Sequence, residues 1–205
     1  MPVHQPEDDQ LFISCQEGGW EVNIYDKVRE ILSEIDRVLA RVNEDEVTAL
    51  CKAIQNARYI LVHGLGREGL VMHAFAMRLM HLGLRVAVVG DVTTPPAGSG
   101  DLFLVSCGPG HLATIQALVG IARRSGSQVA VLTAQPGGPV PREADLVVYL
   151  PAQTMAEKEK SSSTQVMGSA FEQSLWILLD ALVPQLQTAL GQSAEDLRQR
   201  HTNLE

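Results

Sequence analysis

Five short apolar segments, separated by segments with helical spacing, constrain the fold of this chain more than any other feature. The apolar segments are residues 59–63, 85–89, 102–106, 128–132 and 146–150. Each is nearly continuous in apolar residues, as strands buried on both faces of a sheet are. Helical periodicity lies between most of them, at 69–82 and 111–124. Strands that alternate with helices predict right-handed β-α-β units, so we expect an α/β/α sandwich around a five-stranded parallel sheet.

Helical segments also flank the predicted sheet. Apolar residues from 22 to 42 recur at intervals of three and four, which predicts an amphipathic helix, and a second helix is expected at 44–56. Residues 1–20 are polar and predict a flexible arm. The rest, 21–205, is predicted to be one domain whose helical lead-in covers about 21–56.

The segments after the last strand predict a mobile loop at 154–165 and two helices. The first helix should begin at about Ser169 and be kinked or ended by Pro184. The second should begin at Ser193, with Glu195 and Asp196 in its first turn.

Composition excludes several classes of function. Sixteen basic against twenty-four acidic residues give a net charge of −8, which disfavours nucleic acid as a partner. No apolar run is long enough to span a membrane, and the N-terminus does not resemble a secretory signal. The three cysteines are scattered without the spacing of a zinc site, so we expect a reduced, cytoplasmic protein without a metal.

Three polar or glycine-rich loops follow predicted strands, at 64–69, 90–95 and 107–111. Ligands of an open parallel sheet bind beyond the carboxyl ends of its strands, so we expect a pocket at these loops. The first loop reads Gly-Leu-Gly-Arg-Glu-Gly, and Asp91 follows the next strand. This pattern fits a nicotinamide-dinucleotide site. The alternative is structural, because any tight strand-to-helix turn selects glycine.

Five separated motifs occur together in one order along the chain. They are Gly64-Leu65-Gly66-Arg67, residues 74–83 (AFAMRLMHLG), residues 89–95 (VGDVTTP), residues 167–173 (MGSAFEQ) and residues 200–205 (RHTNLE). In these motifs the chain resembles the sugar isomerase (SIS) domain family, and within it the 6-phospho-3-hexuloisomerases.

The resemblance implies a flavodoxin-like α/β/α sandwich that forms a homodimer or homotetramer and binds a sugar phosphate. It also implies an isomerase that interconverts a 3-hexulose 6-phosphate and fructose 6-phosphate. That reaction moves a proton between adjacent carbons through an enediol, and it requires no cofactor or metal.

Two residues are candidates for proton transfer because they match family motifs. Glu172 matches the glutamate at the start of the late helix and is the candidate base. Its alternative role is structural, since Ser169 and Glu172 have the spacing of a capping box. His201 matches the C-terminal tail, from which it could reach the pocket of a neighbouring subunit. Its alternative is a surface histidine on a frayed terminus.

The candidate phosphate-binding residues lie in the three loops. They are Gly64, Gly66 and Arg67, then Thr93 and Thr94, then Gly108, Gly110 and His111.

The third of these loops departs from the family pattern. It reads Cys107-Gly108-Pro109-Gly110-His111-Leu112, where the family typically has Ser-Gly-Ser-Gly-Glu-Thr. No hydroxyl is therefore left to bind phosphate. In the first loop Glu68 stands where the family usually has serine, and it would repel a phosphate unless it points away or pairs with Arg67.

Three functions remain open from the sequence. An active sugar-phosphate isomerase ranks first, because Glu172 and His201 are present. A non-catalytic SIS module that binds a sugar phosphate or another small ligand ranks second, because the third loop has lost its hydroxyls. A nicotinamide-dinucleotide enzyme ranks third.

Overall fold

The computed structural model describes residues 23–156 and 163–204 of the 205-residue chain. The arm predicted at 1–20 lies outside the described residues, as does 157–162 within the loop predicted at 154–165.

A parallel sheet of five strands forms the centre of the molecule. The strands are β1 (Ile60–His63), β2 (Val86–Val88), β3 (Leu102–Ser106), β4 (Gln128–Thr133) and β5 (Leu146–Tyr149). Their order in the sheet is β2-β1-β3-β4-β5. Each predicted apolar segment matches one strand to within a residue at either end, so the prediction of a five-stranded parallel sheet is confirmed.

Six α-helices and one short 3-10 helix accompany the sheet within the described residues. The α-helices are α1 (Ile24–Leu39), α2 (Glu44–Asn56), α3 (Gly66–His81), α4 (Ala113–Arg124), α5 (Ser169–Ala189) and α6 (Ala194–Gln199), and the 3-10 helix is Pro141–Glu143. Asparagine side chains cap α1 and α2, where Asn23 and Asn43 accept hydrogen bonds from the first-turn N–H groups. The last helix begins one residue after the predicted Ser193, with Glu195 and Asp196 in its first turn as predicted, and Ser193 caps it in a capping box with Asp196.

The two faces of the sheet bury separate hydrophobic clusters, as a three-layer sandwich requires. Alternate strand residues such as Val62 and Leu104 pack with Phe75 of α3 and Leu179 of α5. On the other face Phe103 and its neighbours pack against α4, at Ile115 and Val119. Because successive strand side chains point to opposite faces, one nearly continuous apolar strand supplies both clusters.

Of the two outcomes expected at Pro184, a kink or an end to the helix, the end was wrong. The helix continues through Pro184 to Ala189, because Leu182 and Leu186 are buried on either side and their packing outweighs the lost backbone hydrogen bond. The capping box predicted at Ser169 and Glu172 does not form. Gly168 is the N-cap, in a left-handed conformation, and the Ser169 hydroxyl donates to the carbonyl of Val166.

Helix α1 buries only the end of its apolar stripe. Ile35 and Val38 are buried, whereas Ile24, Val28 and Leu32 are 71%, 42% and 56% exposed. Within the described residues, no helix combines the length and the apolar character needed to cross a membrane.

Candidate functional site

The order of the strands places two predicted loops side by side. Strand β1 lies between β2 and β3, so the chain leaves β1 toward one side of the sheet and later returns on the other. Such a switch of direction opens a crevice between the carboxyl ends of the two strands. The loop after β1 carries Gly64, Gly66 and Arg67, and the loop after β3 carries Gly108, Gly110 and His111.

The glycines of the first loop are explained by close packing between β1 and α3. A Cβ atom on Gly69 would lie 2.7 Å from the carbonyl oxygen of Gly64, and one on Gly64 would lie 3.0 Å from the amide nitrogen of Gly69. Gly66 has φ +57°, a left-handed value that suits glycine. The Gly-x-Gly-x-x-Gly pattern therefore has a structural cause here that does not involve a dinucleotide.

The candidate base Glu172 lies in the first turn of α5 and is held by Arg67. The Nε atom of Arg67 donates to Oε2 of Glu172 over 2.6 Å. The Glu172 side chain is 14% exposed and that of Arg67 is 66% exposed, so the pair lies at the rim of the site. The preceding residue, Phe171, packs against Gly108, whose added Cβ would lie 2.9 Å from its ring. The loops after β1 and β3 and the start of α5 therefore meet.

Glu68 behaves differently from both expectations for it. It does not pair with Arg67, and it does not point away from the loop after β3. Its Oε2 accepts hydrogen bonds from the Ser106 hydroxyl at 2.5 Å and from the Gly108 amide at 3.0 Å. Burial raises the pKa of Glu68, opposed by these two hydrogen bonds, and the nearby charge of Glu172 raises it further.

Two of the backbone donors in the loop after β3 are used within the protein. The amide of Gly108 donates to Glu68, and the amide of Gly110 donates to the carbonyl of Cys107 at 2.9 Å. Gly110 has φ +72° and packs directly against Gly138 of the loop after β4. The His111 side chain is exposed.

Cys107 is a buried structural residue. It is fully buried, and burial, with the nearby charge of Glu68, raises its pKa to about 12. A thiol with that pKa is protonated at neutral pH and is a poor nucleophile, so Cys107 packs in the core and does not act as a reactive thiol.

The two threonines lie in the loop after β2, next to the end of β1. The ring nitrogen Nδ1 of His63 hydrogen-bonds the Val89 carbonyl at 3.0 Å, which ties this loop to β1. The hydroxyl of Thr94 lies within hydrogen-bond distance of the carbonyls of Val88 and Asp91, so it stabilises its own turn. Thr93 is exposed.

His201 lies far from Glu172 within one chain. Its ring stacks on that of His81, with 5.2 Å between the ring centroids, and His81 is the last residue of α3. Arg67 is near the first residue of the same helix. A helix of 16 residues is about 24 Å long, so the two candidate proton-transfer residues lie at opposite ends of α3. They can share one site only if two chains contribute to it.

Two cavities adjoin the site. One, of about 310 Å³, lies between α1, α3 and α5 and has mostly apolar walls, such as Leu70 and Trp176, with Arg67 and Glu172 at its edge. Such walls suit protein contact better than a sugar phosphate. The other, of about 570 Å³, lies between the loops after β3 and β4 and includes Pro109 and Gln135.

Two residues of the site were missed by sequence reasoning. Ser106, the donor to Glu68, reads in the sequence as the end of a buried strand. Gln173 lines the apolar cavity, and its Oε1 is buried without a hydrogen-bond partner. Its position directly after Glu172 in a matched motif was the available signal.

A family model described as the SIS domain matches residues 53–176, more than half of the chain. The chain therefore belongs to the SIS domain family, whose members include the sugar-phosphate isomerases.

Individual relatives narrow the likeness further. The chain is 37% identical to the 3-hexulose-6-phosphate isomerase of Mycobacterium gastri, covering 85% of this chain and 88% of that protein. It is 35% identical to the Bacillus subtilis (strain 168) protein of the same name, covering 87% of this chain and 97% of that protein. A Methanococcus jannaschii crystal structure, from which a 3-hexulose-6-phosphate isomerase function was inferred, matches with a TM-score of 0.76 at 27% identity. That match covers 88% of this chain and 99% of the solved one.

Proposed function

We propose that this chain interconverts a 3-hexulose 6-phosphate and fructose 6-phosphate. The observation that carries the proposal is the position of Glu172. Its carboxylate lies at the carboxyl edge of the sheet, 14% exposed, and is oriented by Arg67 beside the loop after β3. The identity to two 3-hexulose-6-phosphate isomerases over most of their length supports the same reaction.

In the proposed reaction Glu172 acts as a base that removes one proton from the substrate. The carboxylate removes the hydrogen from C2 of the 3-hexulose, the electrons form the C2–C3 double bond, and the C3 carbonyl oxygen gains a proton. The resulting enediol then loses the proton of its C2 hydroxyl and receives one at C3, which gives the 2-ketose. The Arg67 guanidinium, beside the carboxylate, stabilises the negative charge of the enediolate.

Self-association is part of the proposal. Exposed apolar side chains lie on the three helices around the apolar cavity, including Val28 and Leu32 of α1, Leu70 of α3, and Trp176 and Ile177 of α5. An apolar surface of this kind favours contact with a second copy. A role for His201 also requires a second chain, because its own α3 separates it from Glu172.

Isotope exchange tests the reaction directly. In D₂O, an isomerase that works through a 2,3-enediol places deuterium on C3 of fructose 6-phosphate and forms the 3-hexulose, whereas an aldose–ketose isomerase labels C1. We expect proton NMR to record loss of the C3 hydrogen signal. Binding of fructose 6-phosphate with neither exchange nor product would favour the non-catalytic SIS module, the alternative supported by the internal hydrogen bonds of the Gly108 and Gly110 amides.

A further inference from the structure

The carboxylate of Glu68 lies where this fold presents a donor to an anion. Gly108 directly follows the strand-to-loop transition after β3, at the carboxyl edge of the sheet and ahead of α4. Backbone N–H groups at such positions commonly bind phosphate groups. Here the Gly108 amide donates to Glu68 at 3.0 Å, and the buried Ser106 hydroxyl donates to the same carboxylate oxygen at 2.5 Å.

The second carboxylate oxygen of Glu68 fills the adjacent space. A Cβ atom built on Gly108 would lie 2.8 Å from Oε1 of Glu68. A phosphate oxygen could not occupy this volume while the side chain keeps its place. Glu68 therefore both fills the space beside Gly108 and accepts the hydrogen bond of the Gly108 amide.

We infer that Glu68 is a specificity-determining residue, whose carboxylate takes the place of an anion at Gly108, so that a phosphate group binds there only by displacing it. The inference rests on the proposed function, because the phosphate in question is that of the sugar substrate.

Given the charges around Glu68, the ease with which a phosphate displaces this side chain from Gly108 depends on whether Glu68 is ionised. Arg67 of α3 is bonded to Glu172 of α5, and the Cys107 thiol of the loop is protonated at neutral pH. Glu172 adds negative charge beside Glu68. An ionised Glu68 therefore opposes the binding of a phosphate dianion in two ways. Its negative charge repels the dianion, and its carboxylate already accepts the hydrogen bond of the Gly108 amide.

Two substitutions separate these contributions. Glu68→Gln removes the charge but retains an oxygen that accepts from Gly108, whereas Glu68→Ser removes both and supplies a hydroxyl. Glu195→Ser is the matched control, because this 64%-exposed glutamate lies in the first turn of α6, which packs against α3. Calorimetry at pH 8 would measure the Kd of inorganic phosphate and of fructose 6-phosphate for the full chain and each variant.

We expect Glu68→Ser to bind both anions about ten- to a hundredfold more tightly than the wild type, the range for a recovered hydrogen bond to a charged group. Glu68→Gln should gain clearly less, and Glu195→Ser should match the wild type. Equal gains in affinity for Glu68→Ser and Glu68→Gln would show that Glu68 acts only by charge repulsion, and would overturn the inference. An unchanged affinity in Glu68→Ser would overturn it as well.

A crystal structure of the wild type with fructose 6-phosphate keeps the inference testable if a variant does not fold. We expect any phosphate at Gly108 to be accompanied by a Glu68 side chain that has left the Gly108 amide. Phosphate bound to that amide with Glu68 still in place would overturn the inference.

Deuterium exchange in the same variants separates this inference from the proposed function. Tighter phosphate binding by Glu68→Ser without exchange at C3 in any form would retain the role of Glu68 and refute the isomerase. Exchange in the wild type with unchanged phosphate affinity in Glu68→Ser would support the isomerase and refute the role of Glu68.

Discussion

Replacing Glu172 by glutamine should lower turnover by at least about a hundredfold and leave the fold intact. The amide oxygen can still accept from Arg67 Nε, so the orientation at 2.6 Å is preserved while the ability to remove a proton is lost. Arg67 is 66% exposed, so the lost charge pairing should lower the free energy of unfolding by less than about 1 kcal/mol. Loss of a general base lowers turnover by about 10²- to 10⁴-fold, or about 2.7–5.5 kcal/mol of barrier.

The assay is kcat for conversion of 3-hexulose 6-phosphate, measured beside thermal unfolding of the same samples. Asp180→Asn is the matched control, because Asp180 is a carboxylate of the same helix that accepts a hydrogen bond from Trp176. We expect its kcat to equal that of the wild type. A Glu172→Gln enzyme with normal kcat would remove Glu172 from the mechanism, whatever its thermal stability.

Other expected outcomes concern the packing of Gly108, the ionisation of Glu68 and the exposed apolar face of α1. Gly108→Ala should lower the unfolding free energy by about 1–3 kcal/mol in urea, because its Cβ would lie within 3 Å of Glu68 and Phe171, whereas Gly137→Ala has open space. Burial raises the pKa of Glu68, so its ionisation opposes folding as the pH rises above about 4. Glu68→Gln should therefore raise Tm relative to the wild type at pH 8 but not at pH 4, and equal shifts would contradict this. Leu32→Glu should reduce the mass found by light scattering, with Arg37→Glu of the same helix as control, and a monomeric wild type would refute the proposed contact.

The strands were predictable because burial on both faces leaves a local signature in the sequence. Leu102–Ser106 is buried at every position, and its four leading apolar residues can be recognised without knowledge of distant contacts. Whether α5 ends at Pro184 or passes through it was not predictable in the same way. Local propensity disfavours it, and only packing of Leu182 and Leu186 in the core reverses that preference.

The candidate site was predictable as a place but not as a set of contacts. Sequence motifs indicated Glu172 and the loops after β1 and β3, since strand ends of a parallel sheet meet at one edge. The bond between Glu68 and Ser106 joins residues 38 positions apart, and no local pattern encodes it. The stacking of His201 on His81 depends likewise on where the C-terminal tail packs.

The short strand β2 affects how readily copies of the protein aggregate through the edges of their sheets. It forms one edge of the sheet with only three residues, and the chain then turns away through Gly90 toward Pro95 and Pro96. An edge this brief exposes few unpaired N–H and C=O groups, and proline offers no donor to an incoming strand. On this side, therefore, the sheet is a poor template for edge-to-edge aggregation.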